Sequence, residues 1–139
     1  MSSVRVVIHP AGYNHVFKSR TGPIGKDFER RCELLAAHAR EQIGVDSGRA
    51  KASIGVDYHK TASGDLAAHI GVNPSGRTVG YAIFHHEGTD AHRIPKRGST
   101  GGPVLRFSAG GATLFRTSVR HPGTKANRFL SDNVRRAFG

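Results

Sequence analysis

The most regular hydrophobic pattern in the chain lies between Pro23 and Ile43. Apolar side chains recur there at intervals of three or four residues, which places them on one face of a helix with charged side chains opposite. Pro23 suits the first helical turn, because a helix has no partner for an N–H at that position. The pattern predicts one long amphipathic helix. Its apolar face consists of Ile24, Phe28, Cys32, Leu35, Ala39 and Ile43.

The hydrophobic period changes to two after this helix. Ile54, Val56 and Tyr58 alternate with Gly55, Asp57 and His59, and residues 66–72 alternate again after a turn at residues 63–65. Alternation of this kind is typical of antiparallel strands with one buried face. We therefore expect a hairpin that packs against the long helix.

Weaker patterns complete the predicted fold. We expect an N-terminal strand through Val4, Val6 and Ile8, a helical turn at Val79–His86, a second hairpin from Val104–Phe107 and Thr113–Val119, and a closing helix at Arg128–Phe138. Together these elements predict a single α+β domain over residues 1–139. Its architecture is an antiparallel sheet of two hairpins packed against one long amphipathic helix, with a short C-terminal helix.

One segment fits neither period. Residues 88–103 are rich in glycine, proline and basic side chains. The segment is long and polar for a simple connection, and such loops often carry function. We predict a mobile basic loop within the domain.

Charge is distributed unevenly along the chain. The net charge is +11, and the chain from Arg93 onward contains ten basic side chains and one acidic side chain, that of Asp132. This asymmetry favours a polyanionic neighbour, either nucleic acid or the acidic face of a partner subunit, over a basic surface that serves only solubility.

The composition excludes several classes of protein. An apolar fraction of 37% without tryptophan indicates a thin core, which suits a subunit that completes its burial against neighbours. The lone Cys32 excludes an internal disulfide and a cysteine-based zinc site. No apolar run is long enough for a membrane span, and no signal segment is recognisable, so we expect assembly in the cytoplasm.

Catalytic signals are weak. His85, His86 and Glu87, followed by Asp90 and His92, form the densest group of metal-ligand residue types. Adjacent histidines point apart in a helix or strand, so a metal-dependent hydrolase is a minor alternative. No serine lies in a nucleophile elbow, and residues 98–102 lack the ending of a nucleotide-binding loop. We predict no enzyme activity, no cofactor and no metal.

Arginines and phenylalanines alternate in the second predicted hairpin. Arg106, Arg116 and Arg120 combined with Phe107 and Phe115 resemble a basic-aromatic surface for nucleic acid. The same alternation also fits phenylalanines in the core and arginines in solvent. The second interpretation is favoured because the first hairpin follows the same rule, and phosphate contact by the arginines stays open.

Several segments together resemble the neck and tail-completion family of tailed bacteriophages. They are Tyr81-Ala82 with Glu87-Gly88-Thr89, Ile94-Pro-Lys-Arg97, Val104-Leu-Arg-Phe107, His121-Pro-Gly-Thr-Lys-Ala126 with Phe129-Leu130, and Asp46-Ser-Gly-Arg-Ala-Lys-Ala-Ser-Ile54. The likeness spans roughly residues 23–138, and the segment from His121 is its most specific part. His85 and His86 stand where the family is usually more apolar, and Asn127-Arg128 replaces a commoner pair containing proline.

The resemblance implies a structural role. It implies a ring, commonly six-fold, at the head–tail junction of a siphophage-like virion, assembled in the bacterial cytoplasm around the DNA path. The partners would be further copies of the chain and the adjacent neck and tail-tube proteins, with passive DNA contact and no membrane. Stopper, tail terminator and completion protein stay open as the specific ring. The alternative is a sequence-nonspecific nucleic-acid-binding module that uses the basic C-terminal third.

The resemblance and the patterns assign expected roles to particular residues. The expected subunit- or ring-contact residues are Thr89, Arg93, Ile94, Lys96 and Arg97. The motif residues expected to be structural are Tyr81, Glu87, Gly88, His121, Pro122, Gly123, Lys125 and Phe129. The candidates to face DNA are Arg106, Arg116 and Arg120.

Overall fold

The structure, a computed structural model, has the predicted α+β architecture. It describes residues 4–44, 48–74, 76, 80–95 and 104–139. Its helices are α1 (Pro10–Lys18), α2 (Pro23–Gln42), α3 (Arg49–Ser53), α4 (Tyr81–Glu87) and α5 (Val134–Phe138), with a 3₁₀ turn at Ser131–Asn133. Its strands are β1 (Ile54–Lys60), β2 (Leu66–Val72), β3 (His92–Pro95), β4 (Leu105–Ala109), β5 (Ala112–Arg116) and β6 (Ser118–His121). No helix among the described residues is both long and apolar enough to cross a membrane.

The chain divides into two compact units. The helical unit comprises Met1–Ala82 and Arg128–Gly139, and the ribbon unit comprises Ile83–Asn127. The prediction of one domain over residues 1–139 stays a prediction.

The long helix α2 forms where the apolar spacing predicted it. Its buried face includes Cys32, Leu35 and Ala39, and Ile43 is buried directly after its last residue. Ile24, at the start of the same stripe, is 44% exposed. Ala36, which the sequence pattern did not include, is fully buried like Ala39.

The hairpin of β1 and β2 covers this helix with one face, as predicted. The antiparallel register pairs Ile54 with Val72, and both side chains are buried. Tyr58 lies on the same face and donates a hydrogen bond to Glu33 Oε1 at 3.2 Å. Desolvation, followed by the charge of Glu33, raises the pKa of the Tyr58 phenol, so the hydroxyl stays a donor.

The C-terminal segment closes the core of the helical unit. Phe129 is 1% exposed and is among the largest fully buried side chains. Asn133 is equally buried, and its Nδ2 donates to Phe129 O at 2.9 Å and to Gln42 Oε1 at 2.6 Å. The predicted helix from Arg128 is replaced by a 3₁₀ turn and the shorter α5, and the Asn133 side chain ties this turn to Phe129 O and to Gln42.

The predicted N-terminal strand is wrong. Residues 4–9 pair with no strand among the described residues, and Val4, Val6 and Ile8 are 90%, 81% and 70% exposed. Alternation alone does not make a strand, because a strand also needs backbone pairing with a neighbour. Pro10 instead begins α1, where its fixed φ suits the first helical turn.

The ribbon unit contains two separate two-stranded antiparallel sheets. The β4–β5 hairpin is close to the predicted second hairpin, but Val119 belongs to β6, which pairs with β3. The predicted mobile loop at residues 88–103 is therefore wrong for His92–Pro95, which form β3. Of the remainder of that prediction, Thr89 forms a backbone bridge with Thr124, and residues 96–103 lie outside the described residues.

Candidate subunit and polyanion contact surface

The ribbon unit has no core of its own among its described residues. Every buried apolar side chain that the structure describes belongs to the helical unit. The ribbon unit exposes Ile83, Phe84 and Phe115 by more than half of their surface. Two-stranded ribbons are marginally stable in water by themselves. This unit therefore presents apolar and backbone surface that the described part of the chain leaves open to solvent.

The two motif turns of the sequence meet each other. Thr89 and Thr124 exchange a pair of backbone hydrogen bonds of 3.0 Å each, and their hydroxyl oxygens lie 2.7 Å apart. This bridge has the same antiparallel register as the ladder that pairs β3 with β6. The bridge and the ladder are thus one ribbon, which places the segment Glu87–Thr89 beside the segment that begins at His121.

Two glycines make this close approach possible. Gly88 has φ +76° and Gly123 has φ +90°, both in the left-handed region. A Cβ at Gly123 would lie 2.2 Å from Thr89 O, and one at Gly88 would lie 2.5 Å from Thr124 O. Any other residue at either position would push the two arms apart.

The histidines of the ribbon unit contact different partners. His85 Nε2 lies 3.3 Å from Asn127 Nδ2, whereas His86 Nδ1 lies 2.8 Å from Glu87 Oε1. His121 Nδ1 accepts a hydrogen bond from Gly123 N–H at 3.1 Å, which holds the Pro-Gly turn. The adjacent histidines of the candidate hydrolase thus serve separate local contacts.

A pair of like charges lies at the centre of the ribbon. Arg93 of β3 is the direct cross-strand partner of Arg120 of β6, and both side chains are exposed. Arg93 Nε donates to Ser118 Oγ at 2.9 Å. The two arginines, with Ala91, His92 and Ser118, line a shallow depression of about 430 Å³. Like charges directly opposite are unfavourable unless an anion lies between them or salt screens them.

The β4–β5 hairpin separates the two phenylalanines. Arg106 is the cross-strand partner of Phe115, so both side chains lie on one face, and Phe115 is 54% exposed. Phe107 pairs with Leu114 on the other face. The interpretation that both phenylalanines face the core is wrong for Phe115. It failed because the face of each residue depends on the register at the Gly110–Gly111 turn, and the alternation of single strands does not fix that register.

The basic side chains of the ribbon unit have no acidic partners among the residues that the structure describes. Seven lysines and arginines accompany two acidic residues in the sequence of this unit. Its one ion pair within the described ranges joins His86 to Glu87. Arg116, an expected DNA-facing residue, is exposed and donates to the neighbouring Phe115 O. The unit therefore offers a positive field to a partner.

The remaining motif residues fall into two groups. Tyr81 and Phe129 belong to the helical unit, where the Tyr81 hydroxyl accepts from Ala50 N–H at 3.0 Å. Pro122 and Lys125 are exposed on the ribbon unit, and Ile94 lies on β3. Lys96 and Arg97, also expected to contact a neighbour, lie outside the described residues.

Comparisons of the chain with protein-family models, with curated proteins and with solved structures find no match.

Proposed function

We propose that this protein is a structural subunit of a siphophage-like virion neck. It forms a homo-oligomeric ring at the head–tail junction, and the ribbon unit contacts neighbouring subunits and the adjacent neck or tail proteins. The family resemblance implies six-fold symmetry and a DNA path through the ring. The chain acts by assembly rather than by catalysis.

The observation that carries the proposal is the contrast between an ordered ribbon and the lack of a core beneath it. The Thr89–Thr124 bridge and the β3–β6 ladder fix the backbone, yet none of the described side chains of this unit is buried. Association removes such surface from water and so supplies the stabilisation that the unit lacks alone. In a ring the contact is heterologous, so this surface meets a different face of the next subunit.

The N-terminal residues add a second surface that suits a neighbour. Val4, Val6 and Ile8 are at least 70% exposed in the single chain. Their alternation is that of a strand, and an extended segment of this kind can add to the open edge of a neighbouring sheet. A segment with the alternation of a strand that pairs with none of the described residues of its own chain fits assembly between copies.

The test is the oligomeric state of the full chain. Native mass spectrometry and light scattering over increasing concentration should show a closed ring, and imaging of purified virions should place the chain in the neck. The Phe115→Ala and Ile94→Ala variants should weaken assembly. Val134→Ala, which removes a side chain of the helical unit that is 45% exposed, is the control and should leave the ring intact.

A strictly monomeric chain that is also absent from purified virions would overturn the proposal. A ring that survives both ribbon substitutions but is lost with Val134→Ala would keep the assembly and refute the assignment of its surface.

One observation favours a second candidate function, sequence-nonspecific binding of nucleic acid. The exposed Phe115 lies beside Arg106 on one face of the hairpin, and the ribbon carries Arg93 opposite Arg120. Aromatic stacking on bases together with arginine contacts to phosphate is the usual basis of binding without sequence preference.

Fluorescence anisotropy with labelled single- and double-stranded DNA at several salt concentrations separates the two functions. The binding module should show affinity that falls steeply with salt, and each arginine lost should reduce the salt slope by about one. Arg93→Ala and Arg120→Ala are the test variants, and Arg135→Ala, an exposed arginine of the helical unit, is the control. Absence of salt-dependent binding would remove the second candidate and leave the neck subunit untouched.

A further inference from the structure

The outer face of the β1–β2 hairpin carries a cluster of metal-ligand side chains. The inner face of the hairpin packs on α2 through Val56 and Ile70. Because side chains alternate along a strand, Asp57 and His59 lie on the opposite face. The register makes His69 the direct cross-strand partner of Asp57, which brings all three side chains to one patch.

The geometry of this patch is close to that of a coordination site. One potential ligand atom from each of Asp57, His59 and His69 lies within 4.8 Å of the other two. The rings of His59 and His69 have their centroids 4.4 Å apart at an angle of 49°. Two donor atoms bound to one zinc ion lie at most about 4.2 Å apart, twice the usual metal–ligand distance. Small rotations of these side chains are sufficient to reach that separation.

We propose that Asp57, His59 and His69 bind one divalent transition-metal ion. Two imidazoles and one carboxylate form a donor set that suits Zn²⁺, Ni²⁺, Cu²⁺ or Fe²⁺, whereas Mg²⁺ and Ca²⁺ prefer oxygen ligands throughout. Three protein ligands leave at least one coordination position to water or to a group from another molecule.

Among the described residues, the one interaction of these three side chains is the ring contact between His59 and His69. Within the described ranges, none of them takes part in a hydrogen bond or ion pair, and the described residues contain no other group of three such ligands. The His92–His121 pair provides an internal comparison. Its rings are also stacked across two strands, 5.1 Å apart, but no third ligand joins them.

A metal ion at this patch would connect the two strands of the hairpin. His69 is on β2, and the other two ligands are on β1, so the ion adds a cross-link that spans the Ser63–Gly64 turn. Metal bound to the folded hairpin alone stabilises the fold by mass action. The inference uses residues of the helical unit only, and it is independent of the proposed neck function.

The experiment is titration of the full chain with Zn²⁺ by calorimetry, together with Co²⁺ as a spectroscopic probe. Wild type should bind one ion per chain and unfold at a higher temperature with Zn²⁺ than with chelator. Co²⁺ should give the visible absorption of a low-symmetry site with nitrogen ligands. Loss of an outer-shell partner alone typically weakens metal binding about 10–100-fold. Asp57→Asn, His59→Ala and His69→Ala should therefore each weaken binding by at least about tenfold.

His92→Ala is the matched control, because it disrupts the other cross-strand histidine pair. It should bind Zn²⁺ like wild type. The ligand positions lie on the outer face, so the three test variants should keep the unfolding temperature that wild type has in chelator, which separates loss of the site from loss of the fold. Absence of Zn²⁺ binding to wild type would overturn the proposal. So would binding that survives all three substitutions, or binding that is lost with His92→Ala.

Discussion

In the helical unit Phe129 is 1% exposed, whereas in the ribbon unit Phe115 is 54% exposed. The two residues have the same side chain, and both stand in segments with marked sequence patterns. Phe129 belongs to the core cluster with residues of α2, β1 and β2, while Phe115 lies on the open face of a two-stranded hairpin. Burial thus depends on whether a second layer covers the element.

The charges of the two units differ in the same way. In the helical unit, lysines and arginines pair with carboxylates, as in Lys18–Asp65, Arg20–Glu29 and Arg31–Asp27. In the ribbon unit, Arg93 faces Arg120, and no lysine or arginine among the described residues forms an ion pair. Part of the basic side chains of the helical unit are thus paired within the unit, whereas the described lysines and arginines of the ribbon unit are left for a partner. This difference is the physical basis of the proposed division into a folding unit and a contact unit.

The largest expected effect comes from truncating the buried phenylalanine. Phe129→Ala should lower the free energy of unfolding by about 3–5 kcal/mol, because it leaves a cavity in the core. Phe115→Ala should change it by no more than about 0.5 kcal/mol in the isolated chain. Urea unfolding followed by circular dichroism measures both. Comparable losses would show that the ribbon unit has a core after all.

A substitution at Gly123 tests the close approach of its backbone to Thr89 in the ribbon unit. Gly123→Ala should destabilise the Thr89–Thr124 bridge by more than about 2 kcal/mol, because it combines a left-handed backbone with a Cβ that would lie 2.2 Å from Thr89 O. Gly110→Ala is the control. The backbone of Gly110 is also left-handed, at φ +57°, but a Cβ added there would meet no atom within 4 Å. The Gly110→Ala substitution should therefore cost about 1 kcal/mol. Hydrogen exchange of the Thr89 and Thr124 amides measures the difference, and equal protection in both variants would contradict the close approach.

A charge reversal should give the ribbon unit an internal ion pair. Arg120→Glu places a carboxylate opposite Arg93 and should stabilise the ribbon by about 0.5 kcal/mol, while weakening affinity for polyanions. Arg116→Glu is the matched control, because its cross-strand partner is Leu105. Amide exchange in β3 and β6 measures the gain. If Arg120→Glu loosens the ribbon instead, repulsion between the arginines is not a feature of the free chain.

The smallest expected effect concerns acid. The Ser63 hydroxyl and then Lys18 hold the pKa of Asp65 below its usual value. The carboxylate therefore contributes stability above about pH 4, and this contribution is lost as the pH falls through the lowered pKa. Asp65→Asn should flatten the acid side of the thermal unfolding profile slightly, because the pair is exposed. Asp90→Asn in the ribbon unit should leave the profile unchanged, and a matching change would argue against the contrast in charge pairing.

The sequence predicts the buried elements of the helical unit well and misses the β3–β6 pairing of the ribbon unit, for a physical reason. The apolar stripe of α2 and the alternation from Ile54 to Tyr58 record burial against a layer, so both elements were recognisable. The burial of Asn133 was not recognisable, because a buried asparagine and an exposed one look the same in a sequence. In β3, the residues His92–Pro95 have no buried face at all, and their pairing with Ser118–His121 is made by backbone groups that no pattern of side chains reports.

The candidate sites show the same limit. Thr89 and Arg93 stay predicted contact residues, and their cross-strand partners, Thr124 and Arg120, depend on a register that the sequence pattern does not fix. Lys96 and Arg97 stay predictions. The Asp57–His59–His69 patch was missed because ten residues separate its two histidines, and the hairpin turn alone determines that they meet.

The register shared by the Thr89–Thr124 bridge and the β3–β6 ladder has an engineering consequence. The chain leaves the ribbon at Pro95 and returns at Ser118, so the β3–β6 ladder holds both ends of the segment between them. Lengthening a segment that is held at both ends has a small entropic cost, about 0.6 kcal/mol for each doubling of its length. The exposed Gly110–Gly111 turn of the β4–β5 hairpin, which lies within this segment, is therefore a position where a peptide tag can be inserted with little effect on either unit.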